Sequence, residues 1–491
     1  VSHLLPLLIA VPIIGALVPA VLGARRPVIS RRLTVGILVG QVGLAVAVLV
    51  AVAATGPRTY VVGGLPAAVG IGLRADAVST VFVLLVAVTA AALYVTVRTD
   101  TTGPTDSLWL LFVAGLTGIA VTADVFNLYV FLEISGLAAY ALVAGRHGTR
   151  AALAAFHYLL VGTIGATLYL LGVGYLYVAT GTLGMAGLRA DLAAVGYDSP
   201  LVVTAFVLVT VGLGVKLALF PLQAWKPDAY AVATPDVSAL LATLGSTVPG
   251  YALVRLVFDV FTASFLDAVP LVRTGLVVVG VASVAAGGYF ALRQSDVRRL
   301  LAYSSVLQMG LVVIGIAIAT PAAVTAALVL LVGNAVAKGG LYAATGVFAR
   351  RFGATTVDGY AGLGRDAPLT AGAVSVAFIS LVGLPPTVGF AGKWYLVVAA
   401  VDSRAWVVVA VVLLSTLVSL AYAGRVVERL YLAAAPGGTE PVATDGGGLA
   451  DGPARERTVV FVVVAALATV LVGLGSTELA AWFAPVVEGW L

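Results

Sequence analysis

Apolar runs of about 20 residues, long enough for a helix to cross a hydrocarbon core of about 30 Å, recur fourteen times along these 491 residues. They fall at roughly 4–22, 33–54, 77–97, 107–122, 125–145, 151–180, 200–225, 235–262, 271–293, 299–319, 322–349, 370–400, 404–432 and 457–483. Few folds are open to such a chain. Backbone amides and carbonyls in lipid must be satisfied within the chain, so each run is expected to be a helix. A mean hydropathy of +1.11 with only 10% charged residues excludes a soluble globular protein. Several runs exceed 25 residues and are expected to tilt, break or continue past the bilayer. The longest polar stretch, 433–458, is rich in Gly, Pro and acids and reads as a flexible cytoplasmic loop before the last helix.

The arginines orient these spans. With the N-terminus outside, the odd-numbered loops face the cytoplasm and carry 17 of the 23 arginines. Five lie outside (Arg58, Arg74, Arg189, Arg273 and Arg404), and Arg255 falls within the eighth run, where it is expected to order the helix end. This is the positive-inside pattern, and it places both termini outside. The first run has no preceding Lys or Arg and no small-residue cleavage site, so it reads as a retained helix. With no cysteine, the chain has no disulfide, thiol catalysis or cysteine-ligated cluster. No phosphate-loop or dinucleotide motif is present, which argues against an enzyme and against ATP-driven pumping by this chain. No cofactor is expected. The basic balance reports topology and not nucleic acid.

Loops take their positive charge from arginine, whereas all four lysines, Lys216, Lys226, Lys338 and Lys393, lie in or beside spans. Arginine stays protonated in proteins, but a desolvated lysine can release and regain a proton. Ionisable groups within a span are costly and by default mark an ion or proton path. Glu133 is the only glutamate before residue 428 and sits mid-span in VFNLYVFLEISGLAAYALVA. Lys216 is also central, and the two charges are expected to pair. Lys338 follows Asn334 by one turn, and Lys393 follows the helix-breaking LPPTVGFAG. His157, early in the sixth run, is of a type suited to proton relays. Lys226, just before Pro227 and Asp228, reads as an interfacial anchor. Asp124, between the fourth and fifth runs, stands where it could line a water-filled approach.

Proline interrupts the seventh and twelfth runs near Lys216 and Lys393. The two runs are five apart, an odd number, as inverted five-helix repeats over spans 4–8 and 9–13 would require. Interrupted segments at corresponding positions of two halves point to a transporter's ion site. The expected division is an N-terminal three-helix segment at 1–106, repeats at 107–262 and 271–432, and a loop with a last helix at 433–491.

FPLQAWKPDAY with AVATPDVSALL, then QSDVRRLLAYSSVLQMG, then GLPPTVGFAGKWYL resemble, in that order, the proton-conducting transporter family. That family includes the antiporter-like membrane subunits of respiratory complex I and the large Mrp cation/proton antiporter subunits. ISGLAAYAL and ATGTLGMAGL look most like the Mrp D subunit. The resemblance implies a proton path through Glu133, Lys216, Lys338 and Lys393 within a hetero-oligomeric complex of a prokaryotic plasma membrane. The complex would exchange protons for sodium or another monovalent cation. The family usually has a lysine on the eighth helix, where this chain has Thr247 in STVPGY, so the relay is expected to involve Thr247 with water, His157 or Lys338. A complex I-type subunit is the alternative.

Overall fold

The computed structural model of the protein describes residues 3–64, 71–98, 102–145, 148–433 and 453–491. Thirteen helices among the described residues are long and apolar enough to cross a membrane. The remaining crossing, twelfth in chain order, consists of Pro368–Val382 and Val388–Asp402, joined across a break. The protein is thus a predominantly helical, multi-pass membrane protein with the expected fourteen spans, and the strands Arg58–Val61 and Gly72–Ala75 form a small antiparallel sheet between the second and third of them. Most of the loop expected over 433–458 lies outside the described residues. The last span stops at Leu474, earlier than its apolar run, and a separate helix, Ser476–Trp490, follows. Trp482 pins that helix to the third span by donating its indole N–H to the Ala77 carbonyl at 2.7 Å.

Short polar residues start several spans by filling amides that the first helical turn leaves unpaired. Asp76 accepts from the Ser79 amide at 2.9 Å, Asp124 from Asn127 at 2.7 Å and Asp296 from Arg299 at 2.9 Å. Asp124 therefore caps the fifth span (Val125–Ala144), a structural task that accounts for its place beside an apolar run.

The two halves repeat. The sixth span, Thr149–Thr180, and the eleventh, Pro321–Phe352, both have 32 residues and both end at a left-handed glycine, Gly181 and Gly353. Starts and ends are both offset by 172 positions. The helices before the two breaks end at left-handed Ala218 and Gly383, and Pro221 and Pro386 follow, offset by 165 in each case. Alternate crossing makes these spans 4–8 and 9–13 inverted copies, with the seventh and twelfth spans discontinuous as expected. The eighth is broken too: Pro235–Leu244 stops at Gly245–Ser246 and resumes as Thr247–Arg255, followed by a π-helical turn at Leu256–Phe261. Pro249 lies in the first turn of the resumed helix, where its missing N–H costs nothing.

Lipid offers no hydrophobic drive for helix association, so close packing of small residues holds the bundle. A Cβ added at Gly165 of the sixth span would lie 2.8 Å from Val215 Cβ of the seventh, which shows how closely the two backbones approach. The tenth (Val297–Ile318) and eleventh spans are buried almost throughout, whereas the thirteenth (Trp406–Tyr431) turns Leu413, Leu414 and Leu417 outward.

Arg255 ties the N-terminal segment to the first repeat. Its guanidinium lies 3.4 Å from Asp76 and 3.3 Å from Asp259 and donates to the Tyr251 hydroxyl at 2.7 Å. All three groups are buried, and Arg74 adds a contact to each acid at 3.4 Å. Removing one member of a buried ion network costs about 3–5 kcal/mol because the partners stay buried. Arg255→Leu should lower the thermal midpoint and the yield of the folded protein in fluorescence-detected size-exclusion runs; unchanged values would contradict the clamp.

Candidate functional site

The last turn of the helix Pro200–Leu217 carries Lys216 into the middle of the fold. The chain turns at left-handed Ala218 and becomes helical again at Trp225–Val232. The Trp225 indole N–H bonds back to the Val215 carbonyl at 3.1 Å, tying the two half-helices together. Buried Lys216 donates to the Tyr140 hydroxyl at 2.7 Å. Gly136, one turn before Tyr140, makes room for the ammonium: a Cβ there would meet Lys216 Nζ at 2.5 Å. Tyr140 stands edge-on to Tyr158 at 4.4 Å, and Tyr158 stacks on Trp225 at 3.9 Å.

Glu133 lies two turns before Tyr140 on the same helix face, partly exposed, with Oε1 buried and unpartnered among the described residues. It is near enough to attract Lys216 electrostatically, but no ion pair forms within 4 Å. The expected Glu133–Lys216 pair is therefore replaced by Tyr140–Lys216, because the tyrosine reaches the ammonium first.

Lys226 corrects the sequence reading more sharply. The break folds Trp225–Val232 back among the sixth and tenth spans, so Lys226 is 1% exposed and anchors at no interface. Its ammonium donates to Ser246 Oγ at 2.8 Å, and Ser246 donates to the Lys216 carbonyl at 3.1 Å. Ser246 stands at the break in the eighth span. The adjacent Thr247 hydroxyl is buried and unpartnered among the described residues.

Lys338 is fully buried on the eleventh span and donates to the Leu301 carbonyl at 2.5 Å and to the Ser304 hydroxyl. It lies close enough to Lys226 for the two charges to repel. Tyr230 sits 5.4 Å from Lys226 Nζ and packs edge-on against Tyr342 at 5.9 Å, one turn past Lys338. Both amide atoms of Asn334 are buried and unpartnered among the described residues, one turn before Lys338.

The tenth span continues the line. Gln308, one turn after Ser304, donates to the Leu381 carbonyl at 3.0 Å. The next carbonyl, Val382, accepts from Lys393 at 2.9 Å, and Thr416 lies 3.3 Å from the same ammonium. Gly383 is needed twice over: its φ is +87°, and a Cβ would lie 2.8 Å from Lys393 Cδ.

The structure thus brings Lys216, Thr247, Lys338 and Lys393 into one polar line, with Glu133 at its flank. His157 does not join it. Its side chain is exposed on the outer face of the sixth span, and its neighbour Tyr158 points inward instead. Tyr140, Lys226, Ser246, Ser304 and Gln308 join the line without having been expected there. The four-residue spacing of Ser304 and Gln308 in an apolar run is a usable signal, as is the seven-residue spacing of Glu133 and Tyr140. None of the lysines lies within 4 Å of a carboxylate among the described residues.

A polar cavity of about 420 Å³ opens at one end of the bundle, lined by Thr234, Asp236, Asp296, Arg298, Thr345 and Arg350. Arg298 accepts, through its carbonyl, the Tyr342 O–H at 2.9 Å, which ties the cavity wall to a residue one helical turn past Lys338. Arg98 holds Asp236 at 2.8 Å and Asp106 at 3.1 Å beside it.

Comparison with known proteins places this geometry in a family. The family described as NADH:quinone oxidoreductase/Mrp antiporter, transmembrane, matches residues 122–419. NADH-quinone oxidoreductase subunit N of Desulforudis audaxviator is 42% identical over 390 residues, 77% of this chain and 76% of that protein. The D subunit of the Na(+)/H(+) antiporter of Bacillus subtilis is 29% identical over 372 residues, 74% of each chain. Among solved structures, a chain of the membrane-bound sulfane sulfur reductase, an archaeal respiratory membrane complex, superposes with a TM-score of 0.87 at 28% identity and covers 99% of both chains.

Proposed function

The chain belongs to the NADH:quinone oxidoreductase/Mrp antiporter transmembrane family, and on that premise we propose that it is a proton-translocating, antiporter-like subunit of a multi-subunit respiratory membrane complex. The observation that carries this reading is the line of four buried lysines held only by hydroxyls and carbonyls. A permanent buried cation without a counter-charge is expensive. A lysine that alternates between amine and ammonium avoids holding that charge continuously. In this reading the polar cavity faces the cytoplasm, both termini lie outside, and protons reach Lys338 past Tyr342. Water bonded to Thr247 and Asn334 would bridge the gaps between lysines, since buried polar groups are satisfied by protein or by ordered water. Lys216 passes protons to or from the Tyr140 and Glu133 side, and Lys393 serves the far end.

The complex in question is of the NADH-quinone oxidoreductase type, supported by the 42% identity to a subunit N across three quarters of both chains. A second reading, the D subunit of an Mrp-type Na+/H+ antiporter in the plasma membrane, has the Bacillus subtilis relative and the ATGTLGMAGL segment in its favour. Mild purification from native membranes followed by mass spectrometry separates the two. Quinone-site and iron–sulfur subunits are expected to accompany the chain. Small hydrophobic antiporter subunits would transfer it to the second reading, and a lone chain would contradict both.

A further inference from the structure

We propose that Lys226 is the proton carrier that links Lys216 to Lys338, standing in the middle of the line where the eighth span offers only the hydroxyls of Ser246 and Thr247. The proposal deepens the proton-translocating reading and rests on it. Lys226 is bonded into the path from one side: its ammonium donates to Ser246, which donates to the backbone of Lys216 itself. On the other side it lies within electrostatic reach of Lys338, and the Tyr230 ring, 5.4 Å from its ammonium, packs edge-on against Tyr342, one turn past Lys338.

A structural anchor would be built differently. A lysine kept only to fasten a segment gains most beside a carboxylate or with its ammonium in water, and Lys226 has neither. The nearest acid on its own segment, Asp228, is half-exposed and held by Arg299 at 2.7 Å. Lys226 also sits in the first turn of Trp225–Val232, where the positive end of the helix dipole opposes a cation. Its single hydrogen bond to a hydroxyl could be made by a neutral side chain. What a neutral side chain cannot do is take up a proton and pass it on. Three ammonium groups in sequence, none next to a carboxylate, also favour one charge at a time, so a proton arriving at one lysine drives off its neighbour's.

The test uses the intact complex in proteoliposomes, with a trapped pH dye reporting translocation and co-purification reporting assembly. Lys226→Gln keeps a donor for Ser246, and Lys226→Arg keeps a fixed charge. Both are expected to assemble and to lose translocation by about a hundredfold. Adding Thr247→Lys to Lys226→Gln should bring the rate back, because the amine then enters the same space from the eighth span. Normal translocation by Lys226→Gln or Lys226→Arg, beside an inactive Lys216→Met control, would overturn the carrier role and leave the broader reading in place. An inactive Lys226→Gln that Thr247→Lys does not restore would reassign Lys226 to structure. A fully active Lys216→Met control would overturn the proton-translocating reading, and this proposal with it.

Discussion

Lys216→Met is expected to lower proton translocation by the intact complex about a hundredfold, the usual contribution of a positioned proton-transfer group, while the complex still assembles. The local structure explains why the two effects separate. Methionine fills most of the volume beside Gly136, so little cavity is left. The Tyr140 hydroxyl loses its one bond to the lysine, which costs about 1–3 kcal/mol. The break keeps its own ties, because the Trp225 bond to Val215 and the Ser246 bond to the residue 216 carbonyl both involve the backbone of this stretch. Translocation is measured by a trapped pH dye in proteoliposomes and assembly by co-purification. Normal translocation would remove Lys216 from the path and overturn the proton-translocating reading of this chain, and lost assembly would make it a structural clamp.

Lys338→Met should have as large an effect on transport and a smaller one on stability. Lys338 is the only lysine on the eleventh span, at the centre of the second half, and its two partners can do without it. Ser304 already donates to the Leu301 carbonyl at 2.9 Å, so removing the ammonium strands neither group. Even buried ion pairs can be replaced by well-packed apolar side chains of similar volume with a neutral or stabilising effect of about 1–4 kcal/mol, and Lys338 has no counter-charge within 4 Å among the described residues to leave stranded. The expected result is a complex whose thermal midpoint is unchanged or raised and whose translocation is nearly abolished. A variant that pumps normally would break the line between Lys226 and Lys393; a variant that unfolds would show that the ammonium holds the tenth and eleventh spans together.

Much of the fold is legible in the sequence because a bilayer imposes few solutions on an apolar run of given length. The fourteen runs, the arginine alternation and the two proline-marked breaks each carry a direct physical signal. The break in the eighth span is marked more weakly: Pro249 follows Ser246 by three residues inside an otherwise apolar run, and the break itself is stabilised by Ser246 bonds to residues 20 and 30 positions away in sequence. The lysines stand out by their scarcity, but their partners depend on three-dimensional proximity. Lys226 defeats a reading by position because distance along the chain from Pro221 is not distance toward the membrane surface; the break folds the segment inward. His157 is one residue out of phase. Ala154, Ala155, Gly162 and Gly165 mark the packed face of the sixth span, and Tyr158 shares that face while His157 does not. The Glu133–Lys216 pair fails for a related reason: opposite charges at similar depth suggest contact, but Tyr140 lies on the same face as Glu133 and takes the bond.

The most direct measurement replaces Lys216, Lys226, Lys338 and Lys393 by arginine, one at a time, and follows proton translocation by the assembled complex. Arginine keeps the charge and most of the length but does not release its proton. A lysine axis that works by proton release and uptake predicts four complexes that assemble and scarcely translocate. Translocation at the unsubstituted rate in all four would contradict the axis, leaving fixed positive charge as the only thing the lysines supply.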